Sequence, residues 1–247
     1  MNFEKIWNNV WSKHDLYSSD VIREYVSRVK AVQIVNMIRK AVPQLRCTRI
    51  ADIGCGDGRV LIEVGKRLGC KELIGIDISR KAIEKAKMLM KKEMVKKWTL
   101  KLGEATNIPI NDNCCNVVLL LGVIEHYSSH EYRERVIKEI YRILEPKGVT
   151  IVMTPNKRSF GVLDRIMQQF IGKWPYGFQK ELSPTSLLQL LKNGGFSEIS
   201  YCVHSLILVP NVRKPFRLYL IKVIDDLLKT IVKDFGFYLY GLGIKRS

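Results

Sequence analysis

Arg49-Ile50-Ala51-Asp52-Ile53-Gly54-Cys55-Gly56-Asp57-Gly58-Arg59 decides how this chain is read. An apolar run carrying a carboxylate breaks into three glycines spaced two apart, and a helix-forming segment, residues 60–68, follows at once. A buried strand, a tight turn and a helix start have this composition when backbone must approach a ligand closely. Glycine admits φ > 0 and brings no Cβ to the contact. The helix behind the turn aims free N–H groups and the positive end of its dipole at whatever the turn holds.

Outward from that stretch, strands and helices alternate. Residues 72–76 read as a second strand closing on Asp77, and Ser79 can cap a helix over 80–96. Residues 99–102 read as a third strand, 116–121 as a fourth, and 149–153 as a fifth, with a helix over 130–143 before the last. Strand four is almost wholly apolar, as a strand covered on both faces must be. Repeated β-α units of this kind predict a parallel sheet with right-handed crossovers. Further along, Ser183-Pro184 opens a helix that Gly194-Gly195 stops. Residues 198–209 read as a strand, 215–235 as an amphipathic helix and 237–244 as a final strand.

Four positions fall at the carboxyl ends of the first four strands: the glycine turn, Asp77, Glu104-Ala105 and Leu121-Gly122. Ligands of open parallel sheets bind outside those ends. Asp77 follows Gly58 by 19 positions, where a carboxylate can accept both hydroxyls of a ribose. The glycine spacing departs from the G-x-G-x-x-G of dinucleotide sites. Asp52 before the turn would repel a pyrophosphate and suits a cationic amino group. The residues therefore point to an adenosine-type ligand with a positively charged end.

With those positions in place, the chain resembles the class I S-adenosylmethionine-dependent methyltransferases, in the small-molecule branch that includes quinone-biosynthetic members. The matching stretches are Asp52–Gly58, Gly75-Ile76-Asp77-Ile78-Ser79, Gly103 to Pro109, Val123-Ile124-Glu125-His126, Leu144-Glu145-Pro146-Lys147-Gly148, Thr154-Pro155-Asn156 and Leu191 to Phe196. The resemblance implies a Rossmann-like α/β fold: a seven-stranded, mostly parallel sheet with helices on both faces, an antiparallel last strand and a helical, aromatic cap. It implies S-adenosylmethionine as methyl donor, with Gly54, Cys55, Gly56 and Gly58 forming the turn against its methionine part. Asp52 would hold the amino group, Asp77 the ribose, Ile78 the adenine face, Glu104 and Ala105 the adenine edge, and the Leu121 carbonyl the amino group again. Two residues depart from the pattern: Glu104 replaces the usual aspartate and lengthens the arm, and Asn116 replaces an aspartate at the start of strand four. His126 is the candidate general base. Some relatives bind a divalent metal through Glu-x-x-Glu-His, but here Gly122 stands at the first position, so no metal is expected.

The chain of 247 residues is expected to be one domain, with a helical lid over 1–42, a cofactor half over 43–155, a cap insertion over 156–182 and a substrate-side half over 183–247. The lid carries Trp7, Trp11, His14 and Tyr17, and the cap carries Trp174 and Tyr176 as pocket candidates. Six cysteines at scattered spacings form no disulfide framework and no zinc pattern, so reduced thiols are expected. The terminus shows no signal-peptide pattern, and no run long enough to span a bilayer occurs, which reads as a cytoplasmic protein. A net charge of +17 calls for an anionic partner or reflects a lysine-rich proteome. The basic segment Arg213-Lys214-Pro215-Phe216-Arg217 ahead of the amphipathic helix suits peripheral contact with the inner face of a membrane. A small-molecule, lipid-like or aromatic acceptor is the leading expectation. An RNA or protein methyltransferase is the alternative, although no Asn/Asp-Pro-Pro-Tyr/Phe signature follows strand four. A non-catalytic protein that only binds S-adenosylmethionine is the third.

Overall fold

The computed structural model describes residues 2–12, 20–205 and 216–246. His14, Tyr17, Arg213 and Lys214 lie outside that range. The element order is α1 (Phe3–Ser12), α2 (Asp20–Ala41), β1 (Arg49–Ile53), α3 (Arg59–Leu68), β2 (Glu72–Asp77), α4 (Arg80–Lys92), β3 (Trp98–Leu102), β4 (Cys115–Leu121), α5 (His130–Ile143), β5 (Leu144–Pro155), α6 (Gly161–Phe170), α7 (Pro184–Asn193), β6 (Ser197–His204), α8 (Phe216–Ile231) and β7 (Tyr238–Ile244). One seven-stranded sheet runs in the order β3-β2-β1-β4-β5-β7-β6. Neighbours from β3 through β5 pair in parallel, and β7 enters antiparallel between β5 and β6.

Alternation along each strand sends side chains to two separate cores. Ala51, Ile53, Val118 and Leu120 meet Ile137 and Ile140 of α5 and Leu187 and Leu191 of α7 on one face. Ile50, Val117, Leu119 and Ile151 meet Ile34 and Ile38 of α2 and Leu61 and Val64 of α3 on the other. Asp52 shares the parity of Ile50, so its carboxylate faces the α2 side. The expected aspartate at position 116 is replaced without loss: the Asn116 carbonyl accepts from the Thr48 and Arg49 backbone N–H groups at 2.7 and 2.9 Å, and its amide donates to Glu145 at 2.6 Å.

Three expectations change. Residues 20–42 read from sequence as a helix with Val21, Tyr25, Val29, Val32 and Met37 near one face. The buried stripe is instead Ile22, Val26, Ala31, Ile34, Val35 and Ile38, and Tyr25 and Val32 are exposed. Both stripes have helical spacing, and only the docking against β1 and β4 chooses between them. The amphipathic helix over 215–235 is expected from its apolar side to cover the last part of the sheet, but on α8 the side carrying Phe216, Leu220, Leu227 and Ile231 is exposed. And Cys47 and Cys70 are joined by a disulfide, which overturns the reading of uniformly reduced thiols. Parallel pairing of β1 with β2 starts at Arg49 and Glu72, so the two residues two positions upstream are brought side by side. Cys55, Cys114, Cys115 and Cys202 are free thiols.

Candidate active site

The glycine turn is built as a cradle. Gly54, Gly56 and Gly58 have φ of 79°, 55° and 78°, and the Gly54 and Cys55 N–H groups both donate to the Ile76 carbonyl, at 2.7 and 3.0 Å. A Cβ on Gly54 would stand 2.3 Å from Val123 Cγ2, and one on Gly56 would stand 2.6 Å from the Trp11 ring. Neither position admits a larger residue without moving a wall of the cleft.

A solvent-open cleft of about 750 Å³ lies over this turn. Of the predicted residues, Gly54, Gly56, Asp77, Ile78, Glu104, Ala105, Leu121 and His126 line it. Asp52, Cys55 and Gly58 sit behind the lining. Cys55 is buried and its thiol packs against Gly75, while Gly58 serves as the N-cap of α3 beside Ala86 and Met90. Asp52 is 2% exposed and its Oδ1 has no hydrogen-bond partner among the described residues. Asp77 is held from two sides: Gly56 N–H donates to Oδ2 and Ser79 N–H to Oδ1, each at 2.8 Å. Burial pushes its carboxyl above the ordinary range while those backbone donors pull it down.

The roof of this cleft comes from α1, whose Trp7 and Trp11 fall in the expected N-terminal lid. Phe3, Trp7 and Trp11 of α1 line the cleft together with Val123 and Tyr127. α1 is latched in place by Asn8, whose carbonyl accepts from Ser79 Oγ at 2.8 Å, and by Lys85, which lies 5.6 Å over the Trp11 ring. Trp174 and Tyr176 were expected on the pocket wall. They stand one layer back instead, Tyr176 against Trp7 at 6.0 Å and Trp174 against Tyr176 at 4.9 Å between ring centroids. α1 occupies the place between them and the cleft.

His126 ends a short 3₁₀ turn after β4 and is 6% exposed. Its Nδ1 lies 2.9 Å from the Phe178 carbonyl. A carbonyl only accepts, so Nδ1 carries the proton and Nε2 keeps its lone pair. Burial pulls the imidazole pKa below its usual 6.5, against a smaller upward pull from that carbonyl. Trp7 meets the imidazole edge-on at 5.0 Å.

Beneath the cleft lies a charge cluster that the sequence alone did not suggest. Glu125 is 2% exposed, with Oε2 unpartnered among the described residues. Burial raises Glu125 and Asp52 to about 7 each, the nearby Asp77 charge adding to the rise at Asp52. Lys30 of α2 stands 5.1 Å over the Tyr238 ring, and its ammonium is pulled down to about 8 by burial, against the attraction of Glu125 and Asp52. A cluster with two orphaned carboxylate oxygens fits an incoming ammonium group. Among the described residues no three His, Cys, Asp or Glu side chains are grouped as a metal would require.

Residues 50–148 match the model of a methyltransferase domain. The ubiquinone biosynthesis O-methyltransferase of Pelagibacter ubique is 31% identical over 166 residues, covering 65% of this chain and 66% of that protein. Its counterpart in Rickettsia prowazekii is 25% identical over 198 residues, covering 76% and 73% respectively. The chain thus spans about two thirds of the length of the first of these relatives. Among solved structures, an S-adenosylmethionine-dependent methyltransferase of Thermotoga maritima, described as a possible histamine N-methyltransferase, superposes with a TM-score of 0.61. It shares 20% identity and the match covers 99% of this chain and 100% of that one, a likeness of fold.

Proposed function

The chain belongs to the class I S-adenosylmethionine-dependent methyltransferases, and on that premise we propose that it methylates a small, ring-bearing acceptor of the quinone-precursor kind, with His126 as the base. The observation that carries the reading is the pairing, in one cleft, of the glycine–Asp77 cradle with an aromatic roof. Phe3, Trp7, Trp11 and Tyr127 offer flat apolar surface to a flat acceptor. The sequence likeness to O-methyltransferases of quinone synthesis supports the same class.

S-adenosylmethionine, when bound, supplies a methyl group on a sulfonium, already activated toward displacement. The residues then have separable tasks. Asp77, fixed by two backbone donors, would accept from the ribose hydroxyls. The unpartnered Asp52 carboxylate would take the amino group, directly or through water. Ile78 and the Glu104-Ala105 pair would enclose the adenine. His126 would accept the acceptor's hydroxyl proton at Nε2, and the Phe178 carbonyl would keep the imidazole in the tautomer that can do so. The α1 roof would exclude water and hold the nucleophile in line with the methyl carbon, which is the larger part of the task in such a displacement.

The test is transfer of labelled methyl groups to a panel of catechol and hydroquinone acceptors, aliphatic amines and bulk tRNA. Turnover confined to the phenolic acceptors is expected. Turnover on amines or tRNA alone overturns the acceptor class. Binding of S-adenosylhomocysteine with no turnover on any acceptor favours a non-catalytic role.

A further inference from the structure

Helix α6 is inside out. Two of its polar side chains point inward: Arg165 has 12% of its side chain exposed and pairs through two nitrogens with Glu181, which has 5% exposed, while Gln168 is buried beside them. Its apolar side chains point outward. Leu163, Ile166, Met167 and Phe170, spaced at i, i+3, i+4 and i+7, are exposed together with the following Ile171, and Phe170 is 92% exposed. A helix on a protein in water orients the other way, because each outward apolar group forgoes burial.

The helix is not alone. The segment just after α8 meets the start of α6, where the Phe235 and Phe160 rings lie 5.9 Å apart. α8 also faces solvent with large apolar groups, among them Phe216, Tyr219, Leu227 and Ile231. Lys157 and Lys173 flank α6, Lys229 and Lys233 lie along the end of α8, and all four are exposed. The chain as a whole carries +17. No described helix is long and apolar enough to cross a membrane.

We propose that the outward faces of α6 and α8 form one docking surface for an anionic bilayer, with the bulky apolar side chains entering the acyl boundary and the surrounding lysines meeting the lipid headgroups. The chemistry is that of an interfacial helix: large apolar groups on one face, short length, and basic residues whose long stems let the ammonium reach the headgroup level. The positive balance selects an anionic surface over a neutral one. A second copy of the same chain is a poorer occupant, since it would bring the same positive charge to the contact. The surface is also tied to the cleft. The Arg165–Glu181 pair anchors α6 to the segment that carries Phe178, whose carbonyl holds His126. An acceptor dissolved in the bilayer would arrive one element away from the base. The docking itself does not depend on which acceptor is used.

Flotation of the full chain tests this, with vesicles of phosphatidylcholine alone and vesicles in which a third of the lipid is phosphatidylglycerol. The expected result is recovery with the anionic vesicles at least roughly tenfold above the neutral ones, lost in high salt. The triple variant Leu163→Ser, Ile166→Ser, Phe170→Ser changes only exposed side chains and should stay at the bottom of the gradient. Calorimetry with S-adenosylhomocysteine should show its cleft intact. Wild-type protein that ignores anionic vesicles overturns the proposal. So does a triple variant that floats as well as wild type. Sedimentation showing a wild-type dimer that the triple variant dissociates would reassign the surface to contact between copies.

Discussion

His126 gives its Nδ1 proton to the Phe178 carbonyl, 2.9 Å away, so a residue of the cap segment sets the tautomer of a residue at the end of β4. The free Nε2 is then available as a base only while the imidazole is neutral. Burial lowers the imidazole pKa below 6.5, so the acid limb of kcat/KM should have its midpoint below that value. His126→Ala should lower kcat by about 10²-fold or more and remove that limb. Binding of S-adenosylhomocysteine, measured by calorimetry, should survive. Wild-type turnover with an unchanged pH profile would take His126 out of the chemistry.

Asp77 is the second point of test. Its two oxygens each accept one backbone N–H, leaving their other lone pairs toward the cleft. Asp77→Ala strands both donors and removes the acceptor proposed for the ribose. The expected cost is about 3 kcal/mol, or roughly 100-fold in affinity for S-adenosylhomocysteine. A fluorescence or calorimetric titration that finds the variant binding as tightly as wild type would move the ribose elsewhere.

Much of this site is legible in the sequence because its determinants are local. The carboxylate closing β2, the glycines after β1 and the apolar run of β4 each state their surroundings within a few residues. What was not legible depends on contacts far along the chain. The sequence puts Trp7 and Trp11 in a lid but not what fixes that lid over the cleft: Asn8 reaches Ser79, and nothing in residues 2–12 names that partner. Lys30 reads as one more polar position on α2 until the docking of that helix brings it toward Asp52 and Glu125. Arg165 reads as a solvent-facing charge until Glu181 buries it, and only then does the apolar stripe of α6 turn outward. The Cys47–Cys70 bond carried a usable signal after all. Both residues stand two positions ahead of strands predicted to be neighbours, so strand register alone places them together.

That disulfide leads to a stability prediction. It joins residues 23 apart in sequence at the amino ends of β1 and β2, and the cleft opens at their carboxyl ends. Closing a loop of that length removes unfolded-state entropy worth about 3 kcal/mol. Cys47→Ser, or a reductant, should lower the guanidinium unfolding free energy by about that amount. Affinity for S-adenosylhomocysteine should stay at the wild-type value. A variant as stable as the oxidised wild type would show that the bond contributes no constraint.

The buried charges under the cleft give stability a particular pH dependence. Asp52 and Glu125 are raised to about 7 by burial, above the ~4 of an unfolded carboxyl. A folded pKa above the unfolded one means that the folded state holds its proton longer. The contribution of these groups is therefore full below pH ~4 and is lost as pH rises through about 7. Lys30, lowered to about 8 by burial, acts in a separate window. It weighs against the fold below about 8, and that penalty is relieved as pH rises toward the unfolded value near ~10.4. The ligand-free protein should accordingly be held back most by this cluster between pH 7 and 8. Asp52→Asn removes one of the carboxyls, so the melting temperature of the variant minus that of wild type should become more positive from pH 5 to pH 7.5. S-adenosylhomocysteine, which places an ammonium group beside Asp52 in the proposed pose, should stabilise wild type most in that neutral range and the variant less. A difference that stays flat across the series would mean that Asp52 titrates normally and is not the amino-group site.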